Sequence, residues 1–404
     1  MEKKQKWALW ALSSVPLVMT LGNSMLIPIL PVIERQLNIS HFQVSLIITV
    51  YSISAILLIP IAGYLSDRWG RKKVIIPSLI ITAIGGIITG WASWKLANPY
   101  MWILIGRVIQ GIGAAGAMPV VIPCVGDMFK DDDEVSKGLG LIETSNTLGK
   151  VLSPILGSAL AMIIWFMPFL FIPVLCAAAI ILILMLVKPP TSKQEKVPVK
   201  EFISVIKEIL HENGRWLYTI FLIGAIIMFI LFGMLFYLSN VLEDRYHING
   251  ITKGFVLAIP LLALSITSYI TGKKIGDNQK AMKWCICIGL VMLGGSLLIP
   301  LFSKSLYILI ATFVIGGIGI GAALPSLDAF VTEGIDKKHR GTVTSLYSSM
   351  RFIGVAAGPP IFSLLIKGTD NIIFYVSIAL SFIGAFLTLR FIKPTNEEKV
   401  SKHE

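Results

Sequence analysis

Apolar stretches of about 20 residues recur about twelve times along this chain of 404 residues, each closed by a short polar break. A run of that length crosses the ~30 Å hydrocarbon core of a bilayer as one helix, which satisfies every backbone donor and acceptor internally. The predicted spans lie near 7–30, 43–65, 73–93, 100–125, 138–163, 165–187, 215–240, 251–272, 281–302, 305–329, 340–366 and 370–392. Only 14% of residues are charged, against about a quarter in a soluble domain. The expected fold class is an all-α membrane protein with twelve transmembrane helices. The Lys-rich start, Met1 to Lys6, precedes an apolar run, but no small-residue cleavage site stands out before Asn23, so an uncleaved first span is expected.

The net charge of +12 would suggest nucleic acid in a soluble protein. Its distribution says otherwise. Of the 35 Lys and Arg, twenty-six fall in loops, tails and span ends on one side, six on the other, and three deep inside spans. Positive charge is retained on the cytoplasmic side, so a multi-pass protein of the cell membrane with both termini in the cytoplasm is expected, and no nucleic-acid partner is needed. Tryptophan prefers the membrane interface. Trp7, Trp10, Trp69, Trp216 and Trp284 fall at predicted inner ends, and Trp91, Trp94, Trp102 and Trp165 at outer ends. Cys124, Cys176, Cys285 and Cys287 sit in apolar runs and read as buried free thiols; Cys285-Ile286-Cys287 lacks the spacing of a zinc site. No cofactor or metal is expected.

The longest polar piece, 188–214, opens with Pro189-Pro190. It then places Phe202, Val205, Ile206, Ile209 and Leu210 at helical spacing among charged residues. A short amphipathic helix on the inner surface is expected there, with a flexible linker as the competing reading. The flanking halves repeat. Gly149 to Pro154 matches Gly354 to Pro359, Lys137-Gly138 matches Arg340-Gly341, and Gly63 to Lys73 has a worn counterpart in Gly272 to Lys280. Three matches in one order, at an offset near 205 residues, predict two pseudo-symmetric six-helix bundles, 1–187 and 215–404, with a site between them.

Between predicted spans 2 and 3 lies Gly63-Tyr64-Leu65-Ser66-Asp67-Arg68-Trp69-Gly70-Arg71-Lys72-Lys73. Small Gly63 and Gly70 would let backbones approach closely. Charge alone is compatible with a plain topogenic loop. The spacing is more specific, and resembles the loop between helices 2 and 3 of the major facilitator superfamily. The resemblance implies an inner gate in which Asp67, Arg68 and Arg71 bond to the inner ends of spans 4 and 11, with Asp127 as the acidic contact on span 4. A lone helix-end aspartate is the competing reading for Asp127.

Span 4 carries Arg107-Val108-Ile109-Gln110-Gly111-Ile112-Gly113, similar to the superfamily's fourth-helix motif, in which the arginine is tied to proton transfer. By the resemblance, Arg107 lines the outer part of the cavity; a snorkelling arginine is the alternative. In span 5, Gly149, Pro154 and Gly157 match the motif of the antiporter branch, where small residues allow a kink and close packing against span 8. Ser153 and Ser158 stand where that motif has glycine.

Lys150 lies ~18 Å along span 5 from Gly138, near the midplane. Glu143 is on nearly the same face but ~10 Å away along the axis, so direct contact is not expected, and Asn146 between them could relay hydrogen bonds. Arg351 falls at similar depth in span 11, next to Tyr347 and Ser348. Lys150 and Arg351 therefore line the cavity as substrate contacts or brace helices through carboxylates. Glu143 is the leading proton-coupling carboxylate, with Asp328 next. Where many drug/proton antiporters keep an acid in span 1, this chain has only Asn23 and Ser24. The span 7 stripe, including Phe232 and Phe236, could form a pliable cavity wall or simply pack.

The chain thus resembles the twelve-span drug/proton antiporter branch over essentially its whole length. The expected function is proton-coupled export of a small amphiphile by alternating access, with protons and membrane lipid as partners and a monomer as the working unit. One alternative is export of an anionic amphiphile such as a siderophore, an organic acid or a lipid headgroup. Another is a non-transporting sensor. No phosphate-binding loop or catalytic triad stands out, which disfavours ATP-driven transport and enzymology.

Overall fold

A computed structural model describes residues 3–129, 132–187, 214–276, 278–303, 305–335, 340–366 and 370–392. Among these, all regular structure is helical, and twelve helices are long and apolar enough to cross a membrane. They are spans 1 (Lys4–Leu37), 2 (His41–Trp69), 3 (Arg71–Lys95), 4 (Tyr100–Met128), 5 (Gly138–Ile163), 6 (Met167–Leu186), 7 (Gly214–Asp244), 8 (Gly250–Ile275), 9 (Gln279–Leu301), 10 (Leu306–Thr332), 11 (Thr342–Ile366) and 12 (Asn371–Phe391). The predicted amphipathic helix at 202–210 lies outside the described residues.

The helices begin and end for local reasons. Ser40 and Gln43 form a reciprocal cap on span 2, the Gln43 N–H donating to Ser40 Oγ at 3.2 Å and the Ser40 N–H to Gln43 Oε1 at 2.9 Å. Asn278 caps span 9, accepting from the Ala281 N–H at 3.0 Å. Span 1 runs seven residues past its predicted end. Pro28 and Pro31 each occupy the first turn of a new segment, a 3-10 turn Ile27–Ile29 and a short helix Leu30–Leu37. The lost N–H of a first-turn proline has no intrahelical partner to miss.

The sequence repeat is a repeat of packing. Span 1 packs on 5, 2 on 4, 3 on 4 and 6; correspondingly, span 7 packs on 11, 8 on 10, 9 on 10 and 12. Gly149 abuts Thr20 and the Leu17 carbonyl of span 1, and its partner Gly354 abuts the Ala225 carbonyl of span 7. The links between spans 2 and 3 and between 8 and 9 both turn at a glycine with positive φ, Gly70 at 101° and Gly276 at 48°. The two sets of six meet through spans 2 with 11 and 5 with 8. There the Thr49 hydroxyl donates to the Ala356 carbonyl at 2.8 Å.

Two expectations about small residues change. No neighbour approaches Gly70, so its glycine serves the left-handed turn that leaves one residue between spans 2 and 3. Gly63 likewise meets no backbone; a Cβ there would lie 3.4 Å from the Ser345 hydroxyl of span 11, an ordinary contact. In span 5, Gly149 and Gly157 face span 1, not span 8; a Cβ on Gly157 would run into the Met25 carbonyl. Span 8 supplies its own small residue, Gly254, against Pro154, Ile155 and Ser158. Ser153 is buried, and its hydroxyl donates to the Lys150 carbonyl at 3.0 Å. Cys124, Cys176, Cys285 and Cys287 are free thiols.

Candidate functional site

A cavity of about 380 Å³ lies between the two sets of six helices. Its lining reaches the first turns of span 5 (Leu139, Ile142), the end of span 10 (Thr332) and the start of span 11 (Thr344). All three lie on the side that carries both chain termini. On the far side the cavity is shut. Leu26, Leu30 and Ile33 of span 1 are buried in one cluster with Leu238 and Leu242 of span 7, and the Ser239 hydroxyl donates to the Ile27 carbonyl at 3.1 Å. The structure is therefore open to the termini side.

The lining brings together most of the residues singled out by sequence. Asn23, Glu143, Asn146, Lys150, Phe232, Asp328, Tyr347 and Arg351 all line the cavity. Glu143 and Lys150 do meet. Lys150 Nζ stands 4.0 Å from Glu143 Oε1, because a lysine side chain is long and leans toward the helix N-terminus, covering the two turns that separate the backbones. Asn146 is bound on both sides. Its amide donates to both Glu143 oxygens at 3.2 Å, and its carbonyl oxygen accepts from the Thr20 hydroxyl of span 1 at 2.6 Å. Arg351 Nη1 donates to Asp328 Oδ1 at 3.2 Å, with its guanidinium 5.6 Å from the Tyr347 ring centre.

Two expected lining residues lie elsewhere. Arg107 is completely buried behind the wall. Its Nε donates to the Ile47 carbonyl at 2.9 Å, Nη1 to Gln110 Oε1 at 2.7 Å and Nη2 to Asn23 Oδ1 at 2.7 Å, while the Tyr51 ring stacks 4.3 Å below. Neutral acceptors within reach hold it, so it neither snorkels nor faces the cavity; Asn23 and Tyr51 stand between. Phe236 is likewise fully buried in the far-side seal, whereas Phe232, one helical turn nearer the termini, faces the cavity.

The loop between spans 2 and 3 forms a closed ionic cluster. Arg71 pairs with Asp67, and donates through Nε to Asp127 Oδ2 at 2.9 Å and through Nη1 to Ser66 Oγ at 2.7 Å. These bonds join spans 2, 3 and 4, all in the first set of six. Arg68 is exposed and outside the cluster. The cluster is complete while the cavity is open to its side, so its pairing alone does not close that side.

Sequence reading missed the far-side lock. Glu243, near the end of span 7, is buried and accepts from Lys253 Nζ of span 8 at 2.6 Å; Arg35 of span 1 caps it from the opposite set of helices. Next to it Glu34 pairs with His41 at 2.7 Å. Glu243 falls just past predicted span 7 and Lys253 at the start of predicted span 8. The available signal was a lysine one turn inside an apolar span.

The sequence pattern of the Major Facilitator Superfamily matches residues 12–284 and 278–404. The chain is 55% identical, over 96% of its length and 98% of the relative's, to the bacillibactin exporter of Bacillus subtilis (strain 168). It is 24% identical, over 98% and 97% of the two chains, to multidrug resistance protein 2 of the same organism. Among solved structures, the human organic anion transporter MFSD10 superposes with a TM-score of 0.76 at 18% identity, covering 96% of this chain and 100% of that one. The inward-facing, occupied form of a bacterial homolog of the human lysosomal transporter Spinster gives 0.74 at 16%, with 97% and 98% covered. Twelve spans, a central cavity and a sequence match over nearly the whole length make this chain a transporter of the Major Facilitator Superfamily.

Proposed function

We propose that this protein exports a siderophore-class amphiphile from the cytoplasm in exchange for protons, bacillibactin being the cargo named for the 55%-identical relative. The carrying observation is the cavity with its two carboxylate–cation pairs, Glu143–Lys150 and Asp328–Arg351, one from each set of six helices. Residues 1–187 and 215–404 act as two rocking bodies joined by the 188–214 linker, and the working unit is a monomer. Both termini face the cytoplasm, so the present form is the loading state. Glu143 and Asp328 carry the proton. Arg107 holds Asn23 and Tyr51 in the wall between them and the far-side seal.

The test is uptake of bacillibactin into everted membrane vesicles with an imposed pH gradient. Wild type accumulates it; Glu143→Gln is expected to lose at least about tenfold in gradient-driven uptake. Full gradient-driven uptake by that variant at equal expression moves the coupling role to Asp328. Asp67→Asn tests the loop cluster in the same vesicles. Its carboxylate is half exposed, and such pairs contribute about 0–1 kcal/mol to stability, so thermal stability should hardly change while coupled uptake drops. Wild-type uptake in Asp67→Asn would remove the loop from the transport cycle.

A further inference from the structure

The two cations of the cavity are not the groups a cargo meets first. Lys150 is 17% exposed and Glu143 55%; Arg351 is 22% exposed and Asp328 43%. All four line the cavity, and in each pair the carboxylate is the more exposed member and the cation the more buried one. Among the described residues, the charged or titratable side chains of the lining are Glu143 and Lys150 from span 5, Asp328 from span 10, Tyr347 and Arg351 from span 11, and Tyr51 from span 2. Spans 1, 4, 7 and 8 contribute only neutral side chains. The ionised pairs cancel in number, so the lumen carries no fixed excess of either sign. Its most exposed charged groups are the acceptor oxygens of Glu143 and Asp328, set against an apolar wall that includes Met228, Phe232 and Leu235.

We infer that the cargo is recognised as a neutral, hydroxyl-bearing amphiphile that donates hydrogen bonds to Glu143 and Asp328, and that Lys150 and Arg351 serve as counter-ions to those carboxylates rather than as receptors for an anion. This rests on the export reading and specifies which chemical form is exported. A hydroxyl donating to an ionised carboxylate makes a charge-assisted hydrogen bond, about twice as strong as a neutral one. A permanent cation gains little, because each carboxylate is already neutralised from behind. An anion must first displace a carboxylate from its cation.

Linkage fixes the sign of coupling in the two cases. An anion seated on Lys150 or Arg351 binds best when the displaced carboxylate is protonated. Cargo and proton then favour each other, and by reciprocity they travel together. A neutral donor needs the ionised carboxylate, so cargo and proton exclude one another. Mutual exclusion on one acceptor is what exchange across the membrane requires: the proton that arrives from the far side expels the cargo there.

The sign is measurable on purified, unmodified protein. Three probes with apolar tails are titrated by calorimetry between about pH 5 and pH 7.5 in buffers of different ionisation enthalpy: octyl gallate (neutral, with vicinal hydroxyls), decanoate (an anion) and decyltrimethylammonium (a cation without donors). Octyl gallate is expected to bind at least about tenfold more tightly than either other probe where the carboxylates are ionised, and to bind more weakly and release protons as the pH falls and they become protonated. Glu143→Gln should weaken it by about tenfold and reduce the proton release. Proton uptake on binding, an octyl gallate affinity that does not fall toward the acid end, tighter binding of decanoate, or no binding of octyl gallate overturns the inference. The readout is independent of transport. Failure of vesicle uptake with proton-releasing octyl gallate binding would count against export alone, and uptake with proton-absorbing binding would count against the neutral-donor form alone.

Discussion

Lys253→Met is expected to shift the resting protein from the termini-side-open form toward the far-side-open form, and to lower its thermal stability. Lys253 and Glu243 are both buried and bonded at 2.6 Å. Removing one member of such a pair leaves an uncompensated buried charge, at a cost of about 3–5 kcal/mol. Arg35 remains on Glu243 but is largely exposed, so it compensates poorly. The cost falls on the sealed far side. When that side opens, water reaches Glu243 and much of the penalty disappears. A differential of about 3 kcal/mol moves a two-state equilibrium by roughly two orders of magnitude. The reporter is a cysteine at Leu238, which is buried in the seal, challenged from the far side with an impermeant maleimide. Labelling should speed up by at least tenfold in Lys253→Met. The double variant Glu243→Gln/Lys253→Met removes both charges, and should return labelling and stability most of the way to wild type. Unchanged labelling in the single variant, or a double variant no better than the single, would rule out this lock.

Arg107→Met should be the next most damaging change, and Arg107→Lys should not rescue it. The guanidinium meets three acceptors on spans 1, 2 and 4 at 2.7–2.9 Å, none of them charged. A hydrogen bond to a charged group contributes about 1.5–3 kcal/mol, and a buried acceptor left empty loses its hydration as well. The bonds share one donor group and do not add simply, but a loss of at least about 3 kcal/mol is expected. Lysine keeps the charge without the planar fork, and can reach one acceptor at a time. Asn23 lines the cavity and would lose its orientation, so uptake should fall further than the melting temperature suggests. Thermal unfolding in detergent, paired with vesicle uptake, checks this. An Arg107→Lys protein with wild-type melting and uptake would show that charge alone is needed.

The spans were legible because hydrocarbon thickness sets their length and backbone satisfaction sets their form. The packing repeat was legible because Gly149 and Gly354 occupy equivalent helix contacts. Pairings that depend on side-chain reach were not. Backbone rise separated Glu143 from Lys150, and a flexible four-carbon stem closed the gap. Nor could the pattern show that Phe232 faces the lumen while Phe236 is sealed, since both lie on one helix and only the docking of span 1 against span 7 tells them apart. The same docking buries Glu243, whose position beside a turn reads as solvated. The Arg71–Asp127 contact was legible because it repeats a short, stereotyped motif between adjacent helices.

The cancellation of charge in the cavity has an electrical consequence. If the cargo leaves neutral and each proton enters alone, every exchange carries one positive charge inward. The membrane voltage then does work on each turnover, about 2.3 kcal/mol per elementary charge per 100 mV. At a typical interior-negative potential, that rivals a pH difference of more than one unit. The protein would keep exporting in a medium whose pH matches the cytoplasm, drawing on voltage alone. With the potential collapsed as well, it would move cargo only down the cargo's own gradient.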